Sequence, residues 1–177
     1  VKSVPAVVGI AGKARTGKNT LADFIEAQYG GYQYSMAAPL RRMLKAGFGI
    51  DMDDPYWTAR KEEPIAAFEK SPRQLLQTLG TEWGRQAVHP DTWVILATDV
   101  LRKRGAGMIV TDIRFENEAA WVRRMGGKVI HLTRTAAPGV NEHVSEAGVI
   151  KAPSDIEFFN NGTLEEMQYA VSKLFPL

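Results

Sequence analysis

The apolar run PAVVGIA leads directly into GKARTGKNT, and that junction constrains the fold of this chain more than any other feature. Residues 6–11 are continuously apolar and rich in β-branched side chains, the composition of a strand covered on both faces in a parallel sheet. Residues 12–19 follow the pattern Gly-x-x-x-x-Gly-Lys-[Ser/Thr] up to its last position, where Asn19 replaces the hydroxyl residue. A helix follows, with Leu21, Phe24 and Ile25 on one stripe. Strand, glycine turn and helix together make an anion site, because the N–H groups of the turn and the positive end of the helix face the same point. Gly12 and Gly17 keep that approach clear of side chains, and Lys18 can reach the β- and γ-phosphates of a nucleoside triphosphate. The Asn19 amide oxygen is a neutral acceptor able to meet Mg²⁺ directly or through water, and Thr20 offers a hydroxyl to the α-phosphate. Lys13 follows the first glycine and can turn toward a second substrate, whereas Arg15 is equally well read as a solvated surface charge. The expected ATP-binding set is Gly12, Lys13, Arg15, Thr16, Gly17, Lys18, Asn19 and Thr20.

Strand-like and helix-like patterns alternate along the rest of the chain. AVVGIA, YQYSMA, GMIVTD, KVIHLTR and SDIEFF read as strands, which predicts an α/β domain with a parallel sheet of about five strands flanked by helices. PLRRMLKAGFG reads as a helix ending at Gly47 and Gly49, and residues 50–70 as a polar excursion with some helix. In SPRQLLQTLGTEWGRQ, Ser71 caps a helix with Pro72 at its first position. At ~100° per residue, Leu75, Leu76, Leu79 and Trp83 share one side, while Arg73, Gln77, Thr81 and Arg85 recur every fourth residue as a polar stripe bordered by Gly80 and Gly84. The next helix is expected to bury Trp93, Leu96, Ala97, Val100 and Leu101, and the last to open on a capping box of Thr163 and Glu166. Ligands of such sheets sit beyond the carboxyl ends of the strands. Four places fall there: the glycine turn, SMAAP with Ala37, Asp112 with Arg114, and Arg134.

The arginines suit a second anion, since a guanidinium fork matches a phosphate. Arg73 stands near its helix start, and Gln77 offers a donor and an acceptor to the edge of a base. Arg85 taken alone reads as part of a solvated helix face, and it enters the acceptor set only through the stripe it shares with Arg73 and Gln77. One of Arg41 and Arg42 is expected to face the cleft, with Arg42 taken into the acceptor set. Asp112 ends an apolar strand, where an acid can hold a magnesium-bound water, touch the acceptor or cap the next helix. His143 and Glu146 are too few ligands for a metal site and are read as acceptor contacts from a lid-like segment. Tyr56 and Trp57 are open to stacking on a base or to packing. If the acceptor is a phosphate monoester, its oxygen is already anionic near neutral pH and needs no strong base. Charge neutralisation and positioning then do most of the work, and Lys13, Lys18, Arg73, Arg114 and Arg134 supply the charge.

Bulk properties narrow the alternatives. A net charge of +2 gives no global field for nucleic acid, and the absence of cysteine excludes disulfides, thiolate metal sites and cysteine catalysis. No apolar run approaches the ~20 residues of a membrane span, so a cytoplasmic location is expected, in a host cytoplasm if the chain is viral. No Asn-Lys-x-Asp sequence occurs, which argues against a switch GTPase.

Across nearly its whole length the chain resembles the bacteriophage-type deoxynucleoside monophosphate kinases, P-loop proteins related to phosphomevalonate kinase. The resemblance is carried in order by GKARTGKNT, SMAAPLRRML, SPRQLLQTLGTEWGRQ, TWV, IVTDIRFENEA, GGKVIHLTR, NEHVSEAG and DIEFFNNGTLEE. It implies one P-loop kinase domain over residues 1–177, with an acceptor-binding region at 37–88 and a lid-like segment at 134–151. It also implies transfer of the γ-phosphate of Mg·ATP to a dNMP. Lys18, Arg114 and Arg134 would then be catalytic. Lys13, Ala37, Arg42, Arg73, Gln77, Arg85, Asp112, Arg114, His143 and Glu146 would meet the acceptor, and Asn19 and Asp112 the metal. The expected partners are ATP and a dNMP, with neither nucleic acid nor membrane, and a homodimer is one assembly the sequence allows. The readings left open are a kinase for another phosphorylated small molecule, such as phosphomevalonate or dephospho-coenzyme A, and a regulatory nucleotide-binding module without transfer.

Overall fold

The computed structural model describes residues 5–135 and 148–175. They form two compact units, one from residues up to 36 together with 94 onward, the other from residues 37–93.

The first unit is built on five parallel strands: β1 (Val7–Ala11), β2 (Tyr32–Tyr34), β3 (Met108–Ile113), β4 (Lys128–Thr133) and β5 (Ile156–Phe159). Their order is β2-β3-β1-β4-β5, and every neighbouring pair is parallel. The continuous burial of β1 follows from cover on both faces. Side chains alternate along a strand, so Val8 and Ile10 point one way and Gly9 the other. Val8 and Ile10 pack with Leu21, Ala22 and Ile25 of α1 (Lys18–Tyr29) and with Met167 and Val171 of α7 (Leu164–Val171). On the opposite face a Cβ at Gly9 would meet Ile113 and Val122, the latter on α6 (Glu116–Arg124). Each apolar side chain fully buried in these layers contributes about 1.5–3 kcal/mol.

Register sets which residues leave the sheet together. Ala11 lies level with Ile113 on one side and His131 on the other, and Thr133 lies level with Phe159. The glycine turn, Arg114, Arg134 and Asn160 therefore follow their strands at the same carboxyl edge.

The second unit contains α2 (Ala38–Phe48), the short α3 (Pro55–Ala59), and α4 (Pro72–Gln77), which runs into a π-wound stretch, Thr78–Val88. The first two residues of α5 (Thr92–Arg104) also belong to it. Leu44, Ile50 and Leu75 form its core, with Met52, Trp57, Ile65, Leu76 and Leu79 packed around them. Trp57 thus takes the packing option, while Tyr56 is exposed and carries the Arg60 guanidinium over its ring. Gly49, at φ 68°, closes α2, and Gly47 lies inside it.

Two expectations about helix faces are corrected. Trp83 lies beyond the cluster that ends at Leu79 and is exposed. Leu96 is exposed on α5, where Trp93, Val94 and Ala97 are the buried residues. The capping boxes at Ser71/Gln74 and Thr163/Glu166 are both formed. Among the described residues, no helix is long and apolar enough to cross a membrane.

Candidate active site

The glycine turn after β1 is shaped from within. Thr16, buried, donates its hydroxyl to the Lys13 carbonyl at 2.9 Å. Lys18 opens α1 and folds its ammonium back over the turn, donating to the carbonyls of Gly12 and Lys13, both at 2.7 Å. A cation is thereby held at the mouth of the helix, whose first turn carries no acid to compete with an incoming anion. A Cβ at Gly12 would stand 2.5 Å from the Leu132 carbonyl oxygen, so the turn lies too close to β4 for any side chain there. Gly17 has φ 99°, a left-handed conformation that favours glycine. Arg15 adopts φ 62° without being glycine, an uncommon conformation of the kind found at ligand-clamping loops. Lys13, Arg15 and Asn19 are exposed, and Thr20 is half-buried.

A contact that local sequence reasoning missed holds this turn from outside. Asn160, directly after β5, donates from Nδ2 to the Thr16 carbonyl at 2.7 Å. Its backbone N–H bonds to the Thr133 carbonyl at 2.8 Å, and the side chain of Asn161 accepts the Thr135 N–H at 2.9 Å. The pair Asn160–Asn161 therefore links the glycine turn to the backbone on both sides of Arg134, whose side chain is exposed. The NNG of the last strand–helix junction was the available signal, but its turn propensity alone does not say what it holds.

At the end of β3, Asp112 accepts the Ser35 hydroxyl at 2.6 Å on one oxygen and the Met36 N–H at 2.7 Å on the other. It joins the exits of β2 and β3. The N–H groups leading into α6 are instead met by Glu118, so helix capping is not the work of Asp112. Glu118, buried, accepts from the N–H of Arg114 at 2.8 Å and of Phe115 at 3.1 Å. Arg114, half-buried, is thus carried on a turn shaped by a buried carboxylate that the sequence reading did not single out.

Farther along the same unit, Asp155 has no exposed side-chain surface. It receives two hydrogen bonds from Arg123, at 2.7 and 3.1 Å, one from the Ala152 N–H at 2.8 Å, and shares one with His131 at 2.9 Å. Burial pushes its carboxyl upward, but those hydrogen bonds outweigh it and hold the group down to about 2. Arg123, bonded also to Glu116 at 2.6 Å, is shifted upward, with the Asp155 hydrogen bond as its main cause.

In the second unit, Arg73 is mostly covered and its Nε donates to Glu62 at 2.6 Å. Gln77 has its Nε2 buried with no acceptor among the described residues. Arg85, half-buried, donates to the Pro90 carbonyl at 3.3 Å. Ala37 is half-buried ahead of α2, and Arg42 is exposed. His143 and Glu146 lie outside the described residues.

A parallel sheet of order 2-3-1-4-5, with a glycine turn and an inward-folded lysine at the carboxyl edge of its central strand, defines a P-loop kinase fold. Dephospho-CoA kinase from Campylobacter jejuni shares it, with a TM-score of 0.51 at 12% identity over 96% of this chain and 94% of that one. The particular family follows from the sequence comparison: the family model for deoxynucleotide monophosphate kinase matches residues 6–70 and 59–171, and the chain belongs to that family. It is 26% identical to the deoxynucleotide monophosphate kinase of Enterobacteria phage T4, over 91% of this chain and 95% of the phage protein. It is 39% identical to the deoxynucleoside-5'-monophosphate kinase of Escherichia phage T5, over 66% of this chain and 52% of that protein. The chain is accordingly an enzyme of the phosphotransferase class.

Proposed function

We propose that this chain transfers the γ-phosphoryl group of Mg·ATP to the 5'-phosphate of a deoxynucleoside monophosphate. An oxygen of the acceptor phosphate forms a bond to the γ-phosphorus, the bond from that phosphorus to the β–γ bridging oxygen breaks, and ADP leaves. The acceptor oxygen is already anionic near neutral pH, so no proton has to be removed. The chemistry therefore reduces to bringing two anions together in line and neutralising them.

The observation that carries this reading is the Lys18 ammonium, held at 2.7 Å on two carbonyls of the glycine turn, with Arg114 and Arg134 leaving their strands at the same edge. In the proposal, the N–H groups of the turn and the first turn of α1 bind the β-phosphate. Lys18 exchanges its carbonyl partners for phosphate oxygens, Arg114 and Arg134 steady the transferring group, and Lys13 reaches toward the acceptor. Residues 37–88 form the acceptor region. There Arg73 and Arg85 serve the acceptor phosphate, and the orphaned Nε2 of Gln77 fits a hydrogen bond to a base edge. Among the described residues no cluster of three His, Cys, Asp or Glu side chains offers a cage for a metal ion. A cation arriving with its nucleotide would find its oxygen donors on this chain in Asn19, at the start of α1, and Asp112, at the end of β3. Such an ion would supply charge neutralisation on the β- and γ-phosphates.

The test is ADP release with Mg·ATP and a panel of dNMPs, NMPs, phosphomevalonate and dephospho-coenzyme A. Turnover with dNMPs is expected. Turnover confined to either of the last two would move the chain to another small-molecule kinase. Tight ATP binding without any acceptor-dependent ADP would make it a regulatory module.

A further inference from the structure

The polar stripe of the second unit does not exist in an ordinary α-helix. At ~100° per residue, a step of four residues overshoots a full turn by about 40°. Three such steps carry Arg85 about 120° away from Arg73, off any common face. The chain avoids this by changing its winding. Pro72–Gln77 is α-helical, but Thr78–Val88 is π-wound, as the bond from the His89 N–H to the Gly84 carbonyl, five residues back, shows at 3.1 Å. With bonds spanning five residues and ~4.4 residues per turn, a four-residue step falls about 30° short of a turn. The one α step and two π steps between Arg73 and Arg85 nearly cancel, leaving the two within about 30° of each other.

Trp93 is placed to hold this winding. Its indole N–H donates to the Gly80 carbonyl at 2.8 Å, and its ring lies against Gly84 so closely that a Cβ there would run into it. Thr92 adds a hydroxyl bond to the Gly84 carbonyl at 2.8 Å. Both glycines lie inside the π-wound stretch, and Trp93 is itself buried.

We propose that Trp93 is a positioning residue: by locking residues 78–88 in the π register it returns Arg85 to the face that carries Arg73 and Gln77, so that all three reach one acceptor nucleotide. This rests on the acceptor role assigned above to that face. Long-range packing, and not the acceptor-facing residues themselves, then sets the geometry of the acceptor site.

The experiment is steady-state kinetics with the dNMP of highest kcat/KM, comparing Trp93→Phe, Arg85→Ala, Arg73→Ala and the Trp93→Phe/Arg85→Ala double variant, each verified as folded by its thermal melt. Trp93→Phe keeps an aromatic side chain but loses the indole N–H that bonds to the Gly80 carbonyl, and its smaller ring no longer fills the space against Gly84. It is expected to raise the acceptor KM about tenfold, the loss of one hydrogen bond to a charged group, with the ATP KM within twofold. Arg85→Ala is expected to add little to Trp93→Phe, because the first change has already displaced the guanidinium. Full multiplicativity, or an unchanged acceptor KM in Trp93→Phe, overturns the proposal. If Arg73→Ala and Arg85→Ala themselves leave the acceptor KM unchanged, the acceptor role of the face fails instead. The register is read independently in the unmodified protein by NMR scalar coupling across hydrogen bonds. Coupling of the His89 N–H to the Gly84 carbonyl is expected, and coupling to the Arg85 carbonyl would overturn the proposal whatever the kinetics.

Discussion

In the proposed reaction, Lys18 is the residue whose loss is expected to cost the most. Its ammonium already sits on the Gly12 and Lys13 carbonyls, where phosphate oxygens would replace them. Lys18→Ala is expected to lower kcat by roughly 10²–10³-fold or more, the scale of losing a preorganised group that stabilises developing charge. A rapid-quench measurement of ADP formation checks it, and a decrease under tenfold would remove Lys18 from the transferring step. Asn160 makes a different prediction. Without its bond to the Thr16 carbonyl the turn loses its outer brace, so Asn160→Ala is expected to raise the ATP KM roughly 5–10-fold and leave the acceptor KM unchanged. Equal effects on both KM values would mean that Asn160 braces more than the nucleotide turn. The glycine turn with Gly12, Gly17 and Lys18 was legible from spacing alone, because such a turn between strand and helix is a local object. Asn160 and Glu118 were not. Each acts by accepting from or donating to backbone groups, and no side-chain pattern records where those groups end up.

At the scale of the element, helix starts were the most readable features. Ser71, ahead of Pro72, and Thr163, spaced from Glu166 as a capping box, cap their helices as the sequence implies. Ser71→Ala is expected to destabilise the chain by about 1 kcal/mol in urea unfolding, the usual loss at an N-cap. No change in midpoint would show that the Ser71 cap contributes nothing. The turn from β3 into α6 was less readable. Asp112 is the acid nearest the strand end, but Glu118 satisfies the two N–H groups there. Glu118→Ala is expected to cost about 2–3 kcal/mol, since it strands the N–H groups of Arg114 and Phe115. A lower kcat is expected with it, because Arg114 rides on that turn. The π winding of residues 78–88 carries no local signature: residues spaced by four drift about 40° per step in an α-helix, and nothing in that spacing says that Trp93, placed against Gly80 and Gly84, favours the other winding.

For the whole molecule, the Arg123–Asp155–His131 network ties α6, β4 and the start of β5 within the first unit. Asp155 is held down to about 2 from an ordinary 3.8. A depressed carboxylate contributes stability that is fully present above its unfolded value and is lost as pH falls through its folded value. The stabilisation tied to this charge, about 2 kcal/mol, should therefore be complete above pH 4 to 5 and gone near pH 2. Asp155→Asn, which leaves Arg123 without its buried partner, is expected to be less stable than the parent by about 3 kcal/mol at pH 7. The gap should narrow as pH drops from 4 to 2. Urea unfolding at several pH values checks this, and a gap independent of pH would show that the charge of Asp155 is not what stabilises.

Taken alone, the order of apolar runs, glycines and caps determined the parallel α/β architecture and the glycine turn after its first strand. These depend on strand and helix periodicity and on side chains acting on backbone a few residues away. Tertiary structure decided what braces the turn, what Asp112 is bonded to and which winding residues 78–88 take. Asn160 meets Thr16 across 144 positions, and Asp112 meets Met36 across 76. Partners that far apart in sequence are chosen by the packing of the sheet, and no local spacing carries that choice.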